Sequence, residues 1–242
     1  MEEKELKTSK KQRIFISIIA IVMLGSVIAG YAAIVIGGSS AKSSTSDQNK
    51  IDPAKVTEYT EALSSAQQEF ATATKSDFDR FIKYRSEIKA YNETSANSEG
   101  LKTRDLKSGD GRTLTEKDSD YLAYYVGWCA DESIFDSTFD DKSNPTAFTK
   151  ILDASVGLIE GWQLGVAGMK LNGIRELTIP ADLAYKDTTE ICGGKNKPLK
   201  FIIMPKEKVE PLSSLSAKLE EATLRAQYAQ YGIDYDTIKQ NN

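Results

Sequence analysis

Hydrophobic and polar residues follow several distinct patterns along the chain, and the first is an unbroken apolar run near the N-terminus. Residues 14–37 carry no charge, and at about 1.5 Å rise per residue a helix of this length spans the roughly 30 Å hydrocarbon core of a bilayer. Five basic residues precede the run, whereas the first one after it is Lys42. The pattern predicts a single-pass transmembrane helix in the cell membrane, with a cytoplasmic basic tail at residues 1–13 and an extracytoplasmic remainder. A cleaved signal peptide is the alternative, although its apolar region is usually about 7–15 residues long.

Residues 38–51 are small and polar without periodicity, which predicts a flexible linker. Asp52 and Pro53 then form a helix cap and first turn. The next stretch repeats apolar residues every three or four positions, as amphipathic helices do, and predicts a helical arm over residues 52–94. The members of its apolar stripe are Val56, Tyr59, Leu63, Ala66, Phe70 and Ala73.

A matching stripe near the C-terminus predicts a long helix within residues 209–242, with Gly232 placed to end it. Its members are Leu212, Leu215, Leu219, Ala222, Ala226 and Ala229. Neither helix buries enough apolar surface to be stable alone. We therefore expect the two helices to pack on each other, on the domain between them, or on a second copy of the chain in a homodimer.

Between the two helices the chain shows shorter periodic segments. Residues 121–128 predict a strand, which puts Tyr124 and Tyr125 on opposite faces of a sheet. Residues 156–169 have the spacing of one short amphipathic helix, which turns Trp162 inward. Residues 174–179 predict a strand that ends at Pro180, because proline cannot donate to a sheet ladder. Short strands and a short helix indicate an α+β domain.

Composition removes several function classes. The 242 residues include no histidine, which excludes the common Ser-His-Asp triad and most zinc sites. A formal net charge of -4 argues against nucleic acid as a partner. Asp140 and Asp141 fit a solvated loop better than a paired-carboxylate hydrolase. We therefore expect neither a metal nor another cofactor.

Residues 156–185 resemble the signature of the FKBP-type peptidyl-prolyl cis-trans isomerases. The matching elements, in chain order, are Tyr125-Val126-Gly127, Phe135-Asp136-Ser137, Gly161-Trp162 after an apolar pair, Gly168-Met169-Lys170, Ile179-Pro180, Leu183-Ala184-Tyr185 and Pro198-Leu199-Lys200-Phe201. The resemblance covers roughly residues 100–206. It implies an antiparallel sheet wrapped on a short helix, within an isomerase domain at residues 95–208.

The resemblance also implies an aromatic pocket that binds proline-containing polypeptides. It gives catalytic roles to Tyr125, Phe135, Asp136, Trp162, Tyr185 and Phe201, and substrate contacts to Phe148, Leu158 and Ile159. By the same comparison, Trp162 forms the floor and Tyr185 donates to a substrate carbonyl. Asp136 either holds neighbouring polar groups or faces the twisted carbonyl carbon.

Two departures from the family pattern concern the loop after Tyr185. Lys186 stands where glycine is common, and residues 187–197 lack the usual Ile-Pro-Pro. In the implied fold, both this loop and the end of the 121–128 strand border the pocket. The two cysteines, Cys129 and Cys192, are therefore placed to form a disulfide in an oxidising compartment. The alternative is two independent small apolar side chains.

Taken with the apolar run, the resemblance implies a membrane-anchored isomerase that assists the folding of exported proteins outside the cytoplasmic membrane. One alternative is an FKBP-fold module that binds polypeptides without turnover, as a holdase chaperone. A second is a membrane scaffold that acts through its helices.

Overall fold

The computed structural model of the chain describes residues 51–240. The predicted tail at 1–13, the predicted span at 14–37 and all but the last residue of the predicted linker lie outside this part. Within the described residues, no helix is both long enough and apolar enough to cross a membrane.

The centre of the fold is a six-stranded antiparallel sheet. Its strands are β1 (Lys102–Lys107), β2 (Tyr121–Trp128), β3 (Ile134–Ser137), β4 (Leu152–Asp153), β5 (Ile174–Ile179) and β6 (Leu199–Glu207). The order across the sheet is β1-β5-β6-β2-β3, with β4 paired to β2. β2 and β6 form the middle, where Tyr125 pairs with Ile203 and Gly127 pairs with Phe201. The predicted α+β class with an antiparallel sheet is confirmed.

Helices account for most of the remaining elements. They are α1 (Pro53–Phe81), α2 (Glu93–Ser98), α3 (Glu160–Val166), α4 (Glu210–Gln230) and α5 (Tyr235–Gln240), with 3-10 turns at Ile82–Glu87, Ala154–Val156 and Ala181–Leu183. α1 begins as predicted, since the Asp52 carboxylate accepts the Ala54 N–H at 2.9 Å. Its α-helical part ends at Phe81, well before the predicted arm does.

The apolar stripes of α1 and α4 face each other and the back of the sheet within one chain. Tyr59, Leu63, Ala66 and Phe70 are buried as expected, but Ala73 is exposed. The buried stripe continues through Thr74, Phe78 and Phe81. Thr74 is tolerated there because its hydroxyl donates to the Phe70 carbonyl at 2.8 Å.

The sheet separates two hydrophobic clusters, which we call the back cluster and the front cluster. The back cluster lies between the sheet and the two long helices and contains Phe70, Phe78, Tyr124, Val126, Trp128, Ile202 and Met204, among others. The front cluster lies between the sheet and α3 and contains Tyr121, Tyr125, Trp162, Leu177, Phe201 and Ile203, among others. Strand alternation explains why neighbours such as Tyr124 and Tyr125 belong to different clusters.

Phe148 corrects one sequence expectation. It was expected in the pocket with Tyr125, but it lies in the back cluster, where its ring stacks on that of Tyr124 at 3.8 Å between centroids. Phe78 makes an edge contact with it at 5.1 Å. The segment before β4 therefore turns this ring towards α1, because α1 supplies an apolar partner that the resemblance alone does not reveal.

Glycines bring α3 close to the sheet. A Cβ on Gly161 would lie 2.2 Å from Ile179 Cγ2, and one on Gly165 would lie 2.8 Å from Leu177 Cδ1. The end of α3 is fixed by Arg175, whose Nη1 donates to the Gly165 carbonyl at 2.9 Å. The close approach of the α3 backbone to β5 thus sets where Trp162 lies against the sheet.

The C-terminal residues fold back onto the start of α1. The Ile51 N–H donates to the Gly232 carbonyl at 3.0 Å. The buried Tyr59 hydroxyl donates to Asp234 at 2.7 Å and to Asp236 at 3.0 Å, and Lys55 forms an ion pair with Asp234. The hydrogen bonds from Lys55 and Tyr59 lower the pKa of Asp234 to about 2.

Candidate active site

Four aromatic rings from four elements meet on the front face of the sheet. The Trp162 ring on α3 lies 5.3 Å from the Tyr125 ring and 5.2 Å from the Phe201 ring, in edge-to-face geometry. The Phe135 ring on β3 meets Phe201 at 5.4 Å and 89°. Such crossed rings form a rigid apolar surface, because edge-to-face pairs are favoured over parallel sandwiches.

Trp162 occupies the centre of this surface. Only 3% of it is exposed, and its indole N–H donates to the Tyr121 hydroxyl at 3.2 Å. Burial raises the pKa of Tyr121 to about 12, so this acceptor is neutral at physiological pH. Trp162 is therefore held in place at the centre of the ring cluster by a neutral acceptor.

Gly127 makes room for two of the rings. A Cβ at this position would lie 2.6 Å from Phe135 Cζ and 2.7 Å from Phe201 Cε1. Because Gly127 pairs directly with Phe201 across the ladder, any side chain would push the rings apart. The glycine of the Tyr-x-Gly element is therefore required by close packing.

A polar group lies at one side of the rings. The Tyr125 hydroxyl donates to the Asp136 carboxylate, which also accepts the Lys150 ammonium at 2.9 Å and the Ser137 N–H at 2.8 Å. Burial, followed by the negative charge of Asp136, raises the pKa of Tyr125 well above its usual value. Tyr125 is therefore a neutral donor, and its bond orients the carboxylate.

Lys150 is a further residue of the site. Its Nζ lies 5.9 Å from the centre of the Tyr125 ring, in addition to its ion pair with Asp136. It follows Asp136 by 14 residues in a segment without periodicity, and no motif marks it. Only its neighbourhood in the fold shows that it belongs to the site.

Tyr185 and the residues before α3 complete the surroundings. Leu158 and Ile159 are half-buried and pack against the front cluster. Tyr185 is also half-buried there, and burial, with a smaller effect from Asp136, raises its pKa to about 12. Its hydroxyl therefore keeps its proton and remains a hydrogen-bond donor.

The loop after Tyr185 is tied to the end of β2. Cys129 and Cys192 form a disulfide in the structure, with their Cα atoms 5.4 Å apart. The two cysteines are 63 positions apart in sequence. The disulfide joins the end of β2, beside the aromatic rings, to the middle of the loop at residues 187–197.

The structure thus gathers most of the expected site residues in one place. Those that lie in or against the front cluster or its polar group are Tyr125, Phe135, Asp136, Leu158, Ile159, Trp162, Tyr185 and Phe201. Phe148 is the exception, as described above. Among residues 51–240 no group of three or more acidic or cysteine side chains is placed to hold a metal ion.

The sequence of the chain is similar to those of known peptidyl-prolyl isomerases. The profile of the family described as FKBP-type peptidyl-prolyl cis-trans isomerase matches residues 111–204. An FK506-binding protein of Neisseria meningitidis serogroup B is 37% identical over 87 residues, which cover 36% of this chain and 74% of that protein. The chloroplastic peptidyl-prolyl cis-trans isomerase FKBP17-1 of Arabidopsis thaliana is 40% identical over 98 residues, 39% of this chain and 42% of that protein.

Among solved structures, the crystal structure of FkpA from Escherichia coli has 24% identity and a TM-score of 0.36, and covers 81% of this chain and 89% of that one. The matching residues and the pocket define a peptidyl-prolyl isomerase domain. The chain belongs to the FKBP-type peptidyl-prolyl cis-trans isomerase family. It spans less than half the length of the Arabidopsis relative.

Proposed function

We propose that this protein is a membrane-anchored isomerase that catalyses cis–trans exchange of X-Pro bonds in exported proteins. The observation that carries this proposal is the cluster of crossed aromatic rings of Tyr125, Phe135, Trp162 and Phe201, which lies beside one fixed carboxylate. The pocket has no nucleophile–base pair, and the reaction needs none, because isomerisation breaks no covalent bond.

The barrier to this reaction is the loss of amide resonance, about 18–20 kcal/mol. A twisted amide is less polar than a planar one, so it loses less hydration when it enters an apolar site. The Trp162 floor binds the proline ring through burial and ring contact. Because the twisted state gains more from this pocket than the planar state does, binding lowers the barrier.

The polar groups would act on the substrate backbone. Tyr185, with a pKa near 12, is a neutral donor that can bind a substrate carbonyl. Asp136 is oriented by bonds from Tyr125, Lys150 and Ser137. A carboxylate held in this way presents a fixed negative charge at the edge of the pocket without needing to transfer a proton.

Placement outside the cytoplasmic membrane rests on two features. Residues 14–37 have the length and composition of a membrane span, and the basic residues lie before them. The disulfide between Cys129 and Cys192 is of the kind that persists in oxidising compartments. Protease added to intact cells should therefore digest residues 52–242, and full protection would contradict this orientation.

A second function, polypeptide binding without turnover, is favoured by the loop at residues 187–197. This loop lacks the family's Ile-Pro-Pro, and the backbone φ is positive at Lys186 just before it and at Cys192 and Asn196 within it, although none of the three is glycine. A loop built differently changes how the substrate is covered, so the same aromatic cluster can hold a polypeptide without turning it over. A homodimer through the helices also stays a prediction, which sedimentation of the purified protein tests.

The decisive experiment is a protease-coupled assay with a proline peptide, on the full-length chain in detergent. We expect catalysis in the wild type and a marked loss in Phe135→Ala, since this ring contacts Phe201 directly. The matched control is Tyr231→Ser, because Tyr231 is 68% exposed and lies after α4, far along the chain from the site. A wild-type rate equal to the uncatalysed rate, with retained binding of a denatured client, would replace the isomerase by the holdase.

A further inference from the structure

Residues 88–98, which we call the clasp, connect the helical region to β1 and include α2. They lie outside the residues matched by the family profile, 111–204. Their polar contacts nevertheless reach two loops that border the isomerase pocket. This segment has no role in the pocket described so far.

One set of contacts fixes the clasp to the turn between β2 and β3. The Tyr91 N–H donates to the Ala130 carbonyl at 3.1 Å. The Trp128 indole N–H donates to the Lys89 carbonyl at 3.0 Å, which anchors the clasp to the back cluster. The clasp is therefore held by the sheet, independently of the pocket loop.

A second set of contacts holds the pocket loop, residues 181–198, at both ends. The Ala181 N–H donates to the Asn97 side chain at 2.9 Å. At the other end, the Tyr91 hydroxyl donates to the Pro198 carbonyl at 2.8 Å, and Lys197 pairs with Glu93 at 2.8 Å.

Between these two anchors the loop receives little support from the clasp. An open cleft of about 470 Å³ is lined by Asn97, Ala181, Asp182, Lys186 and Asn196. Within the loop, the Asn196 N–H bonds to the Lys186 carbonyl at 2.8 Å, and the disulfide ties Cys192 to β2. The disulfide fixes the middle of the loop, whereas the clasp fixes its ends.

We propose that the clasp is part of the isomerase site, and that Tyr91, Glu93 and Asn97 are positioning residues for substrate binding. They act through the pocket loop, which carries Tyr185 against the front cluster. The loop is mostly exposed after Tyr185, and exposed segments open locally at low cost, so losing both end anchors increases the fraction of time in which Tyr185 is misplaced. This inference rests on the proposed isomerase function.

The test compares the full-length protein with a triple variant, Tyr91→Phe, Glu93→Gln and Asn97→Ala. Each change keeps most of the side-chain volume or lies at an exposed position, so the fold is retained. We expect KM for a proline peptide to rise about five- to tenfold, the effect of roughly one net hydrogen bond, with kcat within about twofold. Amide exchange at residues 186–196 should accelerate, while exchange in β2 and β6 stays unchanged.

Two rescue variants separate positioning from general stability. Asn97→Asp retains the acceptor for the Ala181 N–H, and should keep the wild-type KM where Asn97→Ala does not. Glu93→Lys and Lys197→Glu should each raise KM, and the double variant should restore it, because the swapped pair has the same geometry. A contact that only stabilises the fold would change the amount of active protein and leave KM the same in all three variants.

The outcomes discriminate between this inference and the proposed function. If the wild type has no isomerase activity, the proposed function fails. If the wild type is active and the triple variant exchanges its loop faster with unchanged KM, the clasp holds the loop but is not part of the site. If neither loop exchange nor KM changes, the clasp does not position the loop, and the proposal is overturned at its first step.

Discussion

Phe78→Ala should destabilise the pocket on the other side of the sheet, although Phe78 lies on the predicted helical arm. Phe78 is 5% exposed and contacts Phe148, which stacks on Tyr124 of the central strand β2. Truncating a buried phenylalanine to alanine costs about 3–5 kcal/mol. With a urea m-value of roughly 2.5 kcal/mol/M, the unfolding midpoint should fall by about 1–2 M.

The chain provides one fluorescent probe for each cluster. Its two tryptophans are Trp128 in the back cluster and Trp162 in the front cluster. Urea unfolding followed in a Trp162→Phe background reports on the back face, and unfolding in a Trp128→Phe background reports on the pocket. If the helices and the sheet form one cooperative unit, Phe78→Ala lowers both midpoints by the same amount.

Lys75→Ala is the matched control on the same helix. Lys75 pairs with Asp79, and both side chains are mostly exposed, so the expected loss is below about 0.5 kcal/mol. A Trp162 midpoint that stays constant while the Trp128 midpoint falls would refute the reasoning. The long helices would then be a separable arm, and the back cluster would not support the site.

Three further outcomes follow from the structure. Asp136→Asn should lower kcat/KM about tenfold or more, because it removes a charged hydrogen-bond acceptor, whereas Tyr124→Phe on the opposite face should not. The pKa of Asp234 is about 2 in the folded protein and 3.8 in its ordinary environment. The ionised carboxylate therefore stabilises the fold fully above pH 3.8, and this contribution is lost as the pH falls towards 2. The stability difference between wild type and Asp234→Asn, measured by urea unfolding, should therefore be present at pH 7 and vanish near pH 2. Replacing Cys129 and Cys192 by serine should cost about 4 kcal/mol for a loop of this length, which lowers Tm by about 8–16 °C; an unchanged Tm in calorimetry would contradict the entropic argument.

Strand alternation and rare residues made much of the front face predictable. The period of two put Tyr125 opposite Tyr124, and helical spacing turned Trp162 inward. Both signals are local, because they depend on residues that are close in the sequence. The role of Trp162 as the floor came only from the family resemblance and stays a prediction. The membrane span and the orientation remain predictions, because residues 14–37 lie outside the described part of the chain.

Phe148 and Ala73 show what local patterns could not decide. Residues 73 and 74 both continue a three-four stripe from Phe70, and only the surface that α1 covers selects Thr74. Phe148 lies in an irregular segment where no period assigns a face, and the aromatic rings of α1 provide its partner. Lys150 was missed for the same reason, because its relation to Asp136 exists only after the chain has folded.

The pocket loop is held by the disulfide and by the polar contacts of the clasp, and the two kinds of restraint act on different equilibria. The disulfide between Cys129 and Cys192 mainly restricts the unfolded chain, so it raises global stability without defining where the loop ends lie. The bonds from Tyr91, Glu93 and Asn97 exist only in the folded state, and each is too weak to affect global stability much. They bias local opening instead, which is the equilibrium that substrate binding senses.

A loop without the family's Ile-Pro-Pro loses the restricted backbone that proline provides, and that loss is local. The bonds at the two ends of the loop compensate for this local loss. The rise in KM when Tyr91, Glu93 and Asn97 are replaced should therefore also be seen after the disulfide has been reduced.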